Sequence, residues 1–342
     1  MGPGLTTAPA RPPSATAPVP AQIRDAAVIY VSGKGGSGKT TVAAAIGLAA
    51  ARTGRRTIVC ELAGADRLPR AFGQAPAYGR ETPLAPCLWA VGIDPEQALR
   101  EWLRRQPGGA VADAVLGRSP AFAQFVAAAP GAKELVTIGK VLDLAGRSPV
   151  HVEERPFGLV VVDAASTGHA IGMAAAPGTV GNTAGTGAVG DQARALREVL
   201  SDPAATAYVG VSLPEEMSTR EVLALDRGLE DAIGRRLDLI VVNAVWPDRF
   251  SDAEASRLSE LDAEAGDRFP QLRAALTGHR RARRDAAGVR WLRERARCPV
   301  ITFPYVFAPT LGPAEYETLA AGLTASRTTI RVSSPEAGSL RS

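Results

Sequence analysis

Six short runs rich in β-branched and apolar residues punctuate the chain, at 26–32, 57–62, 157–163, 207–213, 237–244 and 299–303. Each has the length and continuous apolar character of a strand covered on both faces, and stretches with helical spacing separate them. This alternation predicts an α/β fold, a doubly wound and mostly parallel sheet with helices on both faces. The interval between the second and third runs is too long for an ordinary strand-to-helix connection. Pro95 to Arg105, a segment around Ala121 to Ala129, and Lys133 to Ala145 look helical, which predicts a helical insertion over about 94–147. Gly172, Gly178, Gly181, Gly185, Gly187 and Gly190 crowd residues 170–191. So much glycine opposes a stable helix, and a mobile loop is predicted there.

Composition narrows the picture. The 342 residues are 46% apolar but only 5% aromatic, so a large core must rest on Ala, Val, Leu and Ile. A single domain over 23–325 is expected, between disordered tails at 1–22, which is rich in Pro and Ala, and at 326–342. The net charge of +4 is too small to call for nucleic acid, which is not an expected partner. Cys60, Cys87 and Cys298 are few, odd in number and far apart, which gives neither a disulfide framework nor a paired-cysteine metal site. No run is apolar enough for a transmembrane segment, and there is no signal-peptide core. The expected location is cytoplasmic.

The chemistry is concentrated in residues 33–41, which read Gly33-Lys34-Gly35-Gly36-Ser37-Gly38-Lys39-Thr40-Thr41. Glycines at this spacing let bare backbone N–H groups wrap phosphate oxygens. The Lys39 ammonium neutralises phosphate charge, and the Thr40 hydroxyl is placed to ligate Mg²⁺. An apolar run precedes the loop and an Ala-rich helical stretch from Thr41 follows it, so the helix dipole adds to the anion site. The run 159–163 ends in Asp163, a carboxylate suited to the shell of that metal. A second loop lysine, Lys34, has no role in an ordinary phosphate loop. Only four lysines occur in the chain, and two of them are here.

The loop resembles the deviant phosphate-binding motif of the dimeric ATPases that include ArsA, the Get tail-anchored-protein ATPase, MinD and ParA. Asp163-Ala164-Ala165-Ser166-Thr167-Gly168-His169-Ala170 resembles the second switch of the ArsA and Get branch in particular. That resemblance implies ATP and Mg²⁺ as cofactors, with ATP hydrolysis as the activity. It implies that Lys34 reaches across a dimer interface, that Asp163 joins the metal shell, and that Thr167, Gly168 and His169 sense the γ-phosphate. Asn243 would face adenine, and Pro304 and Tyr305 would close over the base. The expected assembly is a homodimer or a heterodimer with a paralogous ATPase, whose nucleotide state controls a client, adaptor or membrane-protein partner. Where relatives have an Asp that orients the attacking water, this chain has Glu61, with two extra residues before Ala71 and with Asp66 as the rival carboxylate. Closest in pattern are the actinobacterial ArsA-like subunits. Two further readings remain: a catalytically weak subunit of an ATPase pair, and a ParA- or MinD-like positioning protein using the arginines between 280 and 297.

Overall fold

The computed structural model describes residues 20–62, 66–75, 79–105, 131–148, 156–164, 166–265 and 268–324. Most of both predicted tails and the segment around Ala121 to Ala129 lie outside these residues. A short helix α1 (Ala21–Asp25) overlaps the predicted tail because its Ile23 is buried against the core.

After α1 come β1 (Val28–Gly33), α2 (Lys39–Ala51), β2 (Thr57–Glu61), α3 (Arg67–Ala71), β3 (Thr82–Ala85), β4 (Leu88–Gly92) and α4 (Pro95–Arg105). The chain continues through α5 (Ala132–Leu144), β5 (Leu159–Asp163), α6 (Thr167–Ala184), α7 (Ala188–Ser201), β6 (Thr206–Ser212) and α8 (Glu216–Ile233). It ends with β7 (Leu239–Val245), α9 (Asp252–Ala265), α10 (Pro270–Arg293), β8 (Val300–Pro304) and α11 (Pro313–Thr324). The eight strands form one sheet in the order β3-β4-β2-β5-β1-β6-β7-β8, parallel except for β3.

The continuous apolar runs are explained by burial on both faces. Along β1, Val28 and Tyr30 enter one core cluster while Ile29 and Val31 enter the other, and β5 and β7 divide their side chains in the same way. On one face α2 and α11 pack their small and aliphatic residues; α5, α6, α7, α8 and α10 cover the opposite face. The predicted mostly parallel, doubly wound sheet is therefore observed, and the helices α4 and α5 fall where the insertion was expected.

Two features depart from the pattern. The β3–β4 hairpin at the sheet edge was not anticipated, because Pro83, Pro86 and the left-handed Cys87 (φ 60°) break up its apolar residues. A proline is tolerated there since β3 is an edge strand. The glycine-rich stretch from 170 is also not the predicted loop. Residues 167–184 form an 18-residue helix that even contains Pro177. Met173, Ala174, Ala176 and Gly181 are buried in it against the neighbouring helices, and the hydroxyls of Thr179 and Thr183 bond back to carbonyls one turn earlier. Tertiary burial here outweighs poor local propensity. Small residues also let α6 and α7 turn tightly on each other. A Cβ at Gly190 would lie 2.2 Å from the Gly185 carbonyl oxygen.

Gly190→Ala therefore tests that packing. Alanine raises intrinsic helix propensity by about 0.5–1 kcal/mol, but the backbone clash is expected to cost about 1–3 kcal/mol. Urea denaturation should show a lower midpoint, and a raised midpoint would contradict the close turn.

Candidate nucleotide-binding site

The C-terminal ends of the central strands bring the candidate residues together. Pairing between β1 and β5 sets Val31 opposite Asp163, and pairing between β2 and β5 sets Glu61 opposite the same residue. The loop of residues 33–38 rises from β1 over this edge and turns into α2. A Cβ at Gly33 would fall 2.1 Å from the Val211 carbonyl oxygen of β6, so only glycine lets the two backbones approach. Gly38, at the α2 N-cap, has φ 87°, and a Cβ there would meet the Asn243 amide at 2.1 Å. The Ser37 N–H donates to the Lys34 carbonyl at 3.2 Å, which closes the loop. The bare N–H groups of the first turn of α2 make an anion site with its dipole.

Thr40 Oγ1 donates to Asp163 Oδ2 at 2.5 Å across 123 residues of sequence. The second carboxylate oxygen, Asp163 Oδ1, is buried with no partner, as is Ser37 Oγ. Burial raises the Asp163 pKa against the opposing influence of the Thr40 hydrogen bond, Lys39 and Arg67. A hydroxyl and a carboxylate side by side, with one buried oxygen unsatisfied, are the hard donors that Mg²⁺ takes in partnership with phosphate and water. The residues fit the metal.

Lys39 is half-buried, and its Nζ donates to the Lys34 carbonyl at 3.3 Å. Burial lowers its pKa, and Arg67 lowers it further, while Asp163 and Glu221 raise it. Lys34 lies in the same loop, half-buried. Gly35 and Gly36 form the exposed crest of the loop, and Thr41 continues α2.

Glu61 does not stand free at the end of β2. Its two carboxylate oxygens accept from the Arg67 N–H at 3.0 Å and the Leu68 N–H at 3.3 Å, so Glu61 caps α3. Burial raises its pKa although both bonds oppose this. Asp66, the α3 N-cap residue, holds φ 41° and makes no capping bond with its own side chain; its Oδ2 is buried without a partner. On the far side, Thr167 begins α6, and its hydroxyl donates to Glu221 of α8 at 3.0 Å. Gly168 and His169 are exposed on the same first turn.

Asn243 Nδ2 donates to the Ser37 carbonyl at 3.0 Å, which ties β7 to the phosphate loop. Pro304 is the last residue of β8, and Tyr305 follows it. There Tyr305 packs with Trp246 and Phe307 at centroid separations of 4.8 and 5.0 Å, with Arg281 over the first two rings. The structure thus gathers the loop, Glu61, Asp163 and Thr167 around one edge, with Asn243 braced against the loop and Tyr305 in an aromatic cluster at the neighbouring strand ends. Two charged residues of this edge were missed in the sequence, Arg67 and Glu221. Each sits in an ordinary-looking helix, and no spacing marks them.

Residues 26–187 match the family model described as Anion-transporting ATPase. ATPase BagA of Mycobacterium tuberculosis is 25% identical over 254 residues, which cover 72% of this chain and 73% of that protein. ATPase GET3 of Pyricularia oryzae is 30% identical over 149 residues, 42% of this chain and 41% of its own length. A putative arsenical pump-driving ATPase of Halobacterium salinarum is 24% identical over 281 residues, covering 74% of this chain and 42% of that protein.

The raised Asp163 pKa has a sign that can be checked without nucleotide. A carboxyl whose folded pKa lies above its unfolded value binds more protons when folded, so its ionisation costs stability as pH rises through that window. Asp163→Asn should therefore melt higher than the parent at neutral pH, and the gain should fade as pH falls to the ordinary carboxylate range. A variant that melts lower at every pH would refute the buried, uncompensated charge.

Proposed function

We propose that the chain is a member of the anion-transporting ATPase family, whose model residues 26–187 match, and that it is a cytoplasmic ATPase that binds MgATP and hydrolyses it. The observation that carries this reading is the Thr40–Asp163 hydrogen bond beneath the glycine loop. It sets a metal-binding pair directly beside the lysine and backbone N–H groups that take phosphate.

The reaction is phosphoryl transfer to water. The water oxygen bonds to the γ-phosphorus as the bond to the β,γ-bridging oxygen breaks. That electron pair leaves on ADP, and the water protons pass to the released phosphate and to solvent. Little covalent chemistry falls to the protein, so catalysis rests on positioning and charge. Gly33, Gly35, Gly36, Ser37, Gly38, Thr40 and Thr41 form the cradle, with Lys39 neutralising the β- and γ-phosphates. Thr40 and Asp163 would hold Mg²⁺, which supplies Lewis-acid stabilisation of phosphate charge when bound. Asn243 fixes the loop on the side assigned to the base, with Pro304 and Tyr305 beside it. Thr167, Gly168 and His169 stand at the start of a long helix, where a contact with the terminal phosphate can be passed along α6.

The resemblance further supports a dimer in which Lys34 serves the partner's nucleotide. Leu99, Trp102, Leu135, Val136, Val180 and Val189 line an apolar groove between α4, α5, α6 and α7. This groove, which α6 connects to the switch, is the surface best suited to a client or membrane-protein partner. Among the described residues no helix is long and apolar enough to cross a membrane. As the alternative reading, a weakly active subunit of an ATPase pair is kept alive by Glu61, whose oxygens are committed to α3.

Two substitutions test the reading. Lys39→Ala should lose MgATP binding while keeping the melting temperature, and binding at full strength would refute the phosphate loop. Lys34→Ala should bind ATP nearly as well as the parent, yet fail to dimerise with a non-hydrolysable analogue and lose roughly 10³-fold in turnover. Sedimentation together with phosphate release reads both, and a Lys34→Ala protein that dimerises and turns over normally would sink the dimer-ATPase reading.

A further inference from the structure

Arg67 is the first residue of α3, and its backbone N–H is bound by Glu61 Oε1 at 3.0 Å. Glu61 in turn lies opposite Asp163 in the β2–β5 register, and Asp163 is bonded to Thr40. The residue is thereby anchored at the same sheet edge as the phosphate loop. Its side chain is exposed, forms no ion pair with any described residue, and acts electrostatically on both Lys39 and Asp163. A guanidinium and an ammonium within electrostatic reach of each other repel. The described carboxylates near Lys39, Asp163 and Glu221, do not pair with Arg67. A polyanion placed over the loop answers both cations. Arginine suits this place because its planar fork can contact two phosphate oxygens at once.

We infer that Arg67 is a further catalytic residue of this site, a cation supplied in cis to the transferring phosphoryl group, and that Glu61 is the positioning residue that holds it there. The inference rests on the proposed ATPase reading and adds a charge that the phosphate-loop motif does not contain. It also gives Glu61 a use other than orienting water. By capping α3, Glu61 fixes the backbone from which Arg67 projects. The contribution is largest where charge on the three equatorial oxygens of the γ-phosphoryl group must be stabilised, and smallest toward a diphosphate. It is separate from that of Lys34. A partner's lysine acts only in the dimer, whereas Arg67 acts on its own chain's nucleotide and in the monomer as well.

Nucleotide discrimination provides the test, because it does not depend on turnover. Affinities for ADP and for a non-hydrolysable ATP analogue are measured on the full chain at concentrations where it is monomeric, with Mg²⁺ present. Arg67→Ala should weaken the ATP analogue by about tenfold or more and leave ADP within about twofold. Arg67→Lys should recover part of the loss, because charge is kept and the fork is not. Glu61→Ala should reproduce the Arg67→Ala pattern, with Glu61→Gln intermediate because one acceptor oxygen remains. A residue that merely orients water would change turnover and leave this affinity ratio alone. Matching melting curves confirm that the variants fold.

An unchanged ratio in Arg67→Ala, in a protein whose parent binds both nucleotides, would overturn the inference and leave the ATPase reading intact. A Glu61→Ala variant with the parent's ratio would remove the positioning role. A parent chain that binds neither nucleotide would overturn the ATPase reading, and this inference with it.

Discussion

A buried carboxylate that cannot be satisfied by the protein alone organises this molecule. Asp163 sits at the end of a central strand whose preceding residues are apolar and buried, and its second oxygen is unpartnered. Taking such a charge out of water is costly unless opposite charge is brought to it. The fold delivers that charge by topology. Parallel pairing aligns the ends of β1, β2 and β5, so the segments that follow β1 and β2 carry Lys39 and Arg67 to the edge where Asp163 ends β5. The strand ends of an open α/β sheet are where ligands bind for the same reason, since helix N-termini and loops converge there. Two packed faces hold the edge rigid, and the site inherits its precision from the alternation of side chains between two cores.

Much of this was legible in the sequence because its physical causes are local. A strand buried on both faces must be a continuous apolar run, and β1, β2, β5, β6, β7 and β8 all announce themselves that way. The phosphate loop is legible because only glycine satisfies the close approach of Gly33 to Val211 and the left-handed backbone at Gly38. Features that depend on partners distant in the chain were not legible. The hairpin β3–β4 exists because an edge strand can pair there, and nothing in its proline-broken segment shows this. Helix α6 exists because α5, α7 and α8 cover a sequence that alone would not hold a helix. Arg67 and Glu221 acquire meaning only once the strand ends meet. The segment around Ala121 to Ala129 and most of both tails fall outside the described residues.

Charge away from the site is distributed with a different logic. Between 279 and 297 eight arginines face two carboxylates, so the remainder of the chain is slightly acidic despite an overall +4. Some of those arginines are engaged. Arg281 lies over Trp246 and Tyr305, and Arg295 lies over Trp291. Others, such as Arg284 and Arg290, project into solvent on α10. The candidate phosphate loop, by contrast, holds two lysines, Lys34 and Lys39, in partly buried positions. A buried cation costs more to hold than an exposed one, and it gains more when its anion arrives, because the local dielectric is lower. On the proposed reading, the site recognises phosphate through a few well-placed charges near the sheet edge, without the long basic helix.

Glutamate in place of the aspartate expected from the resemblance now has a structural account. A carboxylate on the shorter side chain at the end of β2 would stay close to its own strand. The extra methylene of Glu61 lets both oxygens reach the backbone N–H groups of Arg67 and Leu68. The capping bond that Asp66 would ordinarily make to its own helix is thereby taken over by a residue five positions earlier, and Asp66 is left buried with an unpaired oxygen at φ 41°. Such strain and unsatisfied polarity persist only when the surroundings enforce them. Here the enforcing contact links β2 to α3. The segment after β2 provides a helix, and Glu61 provides its cap.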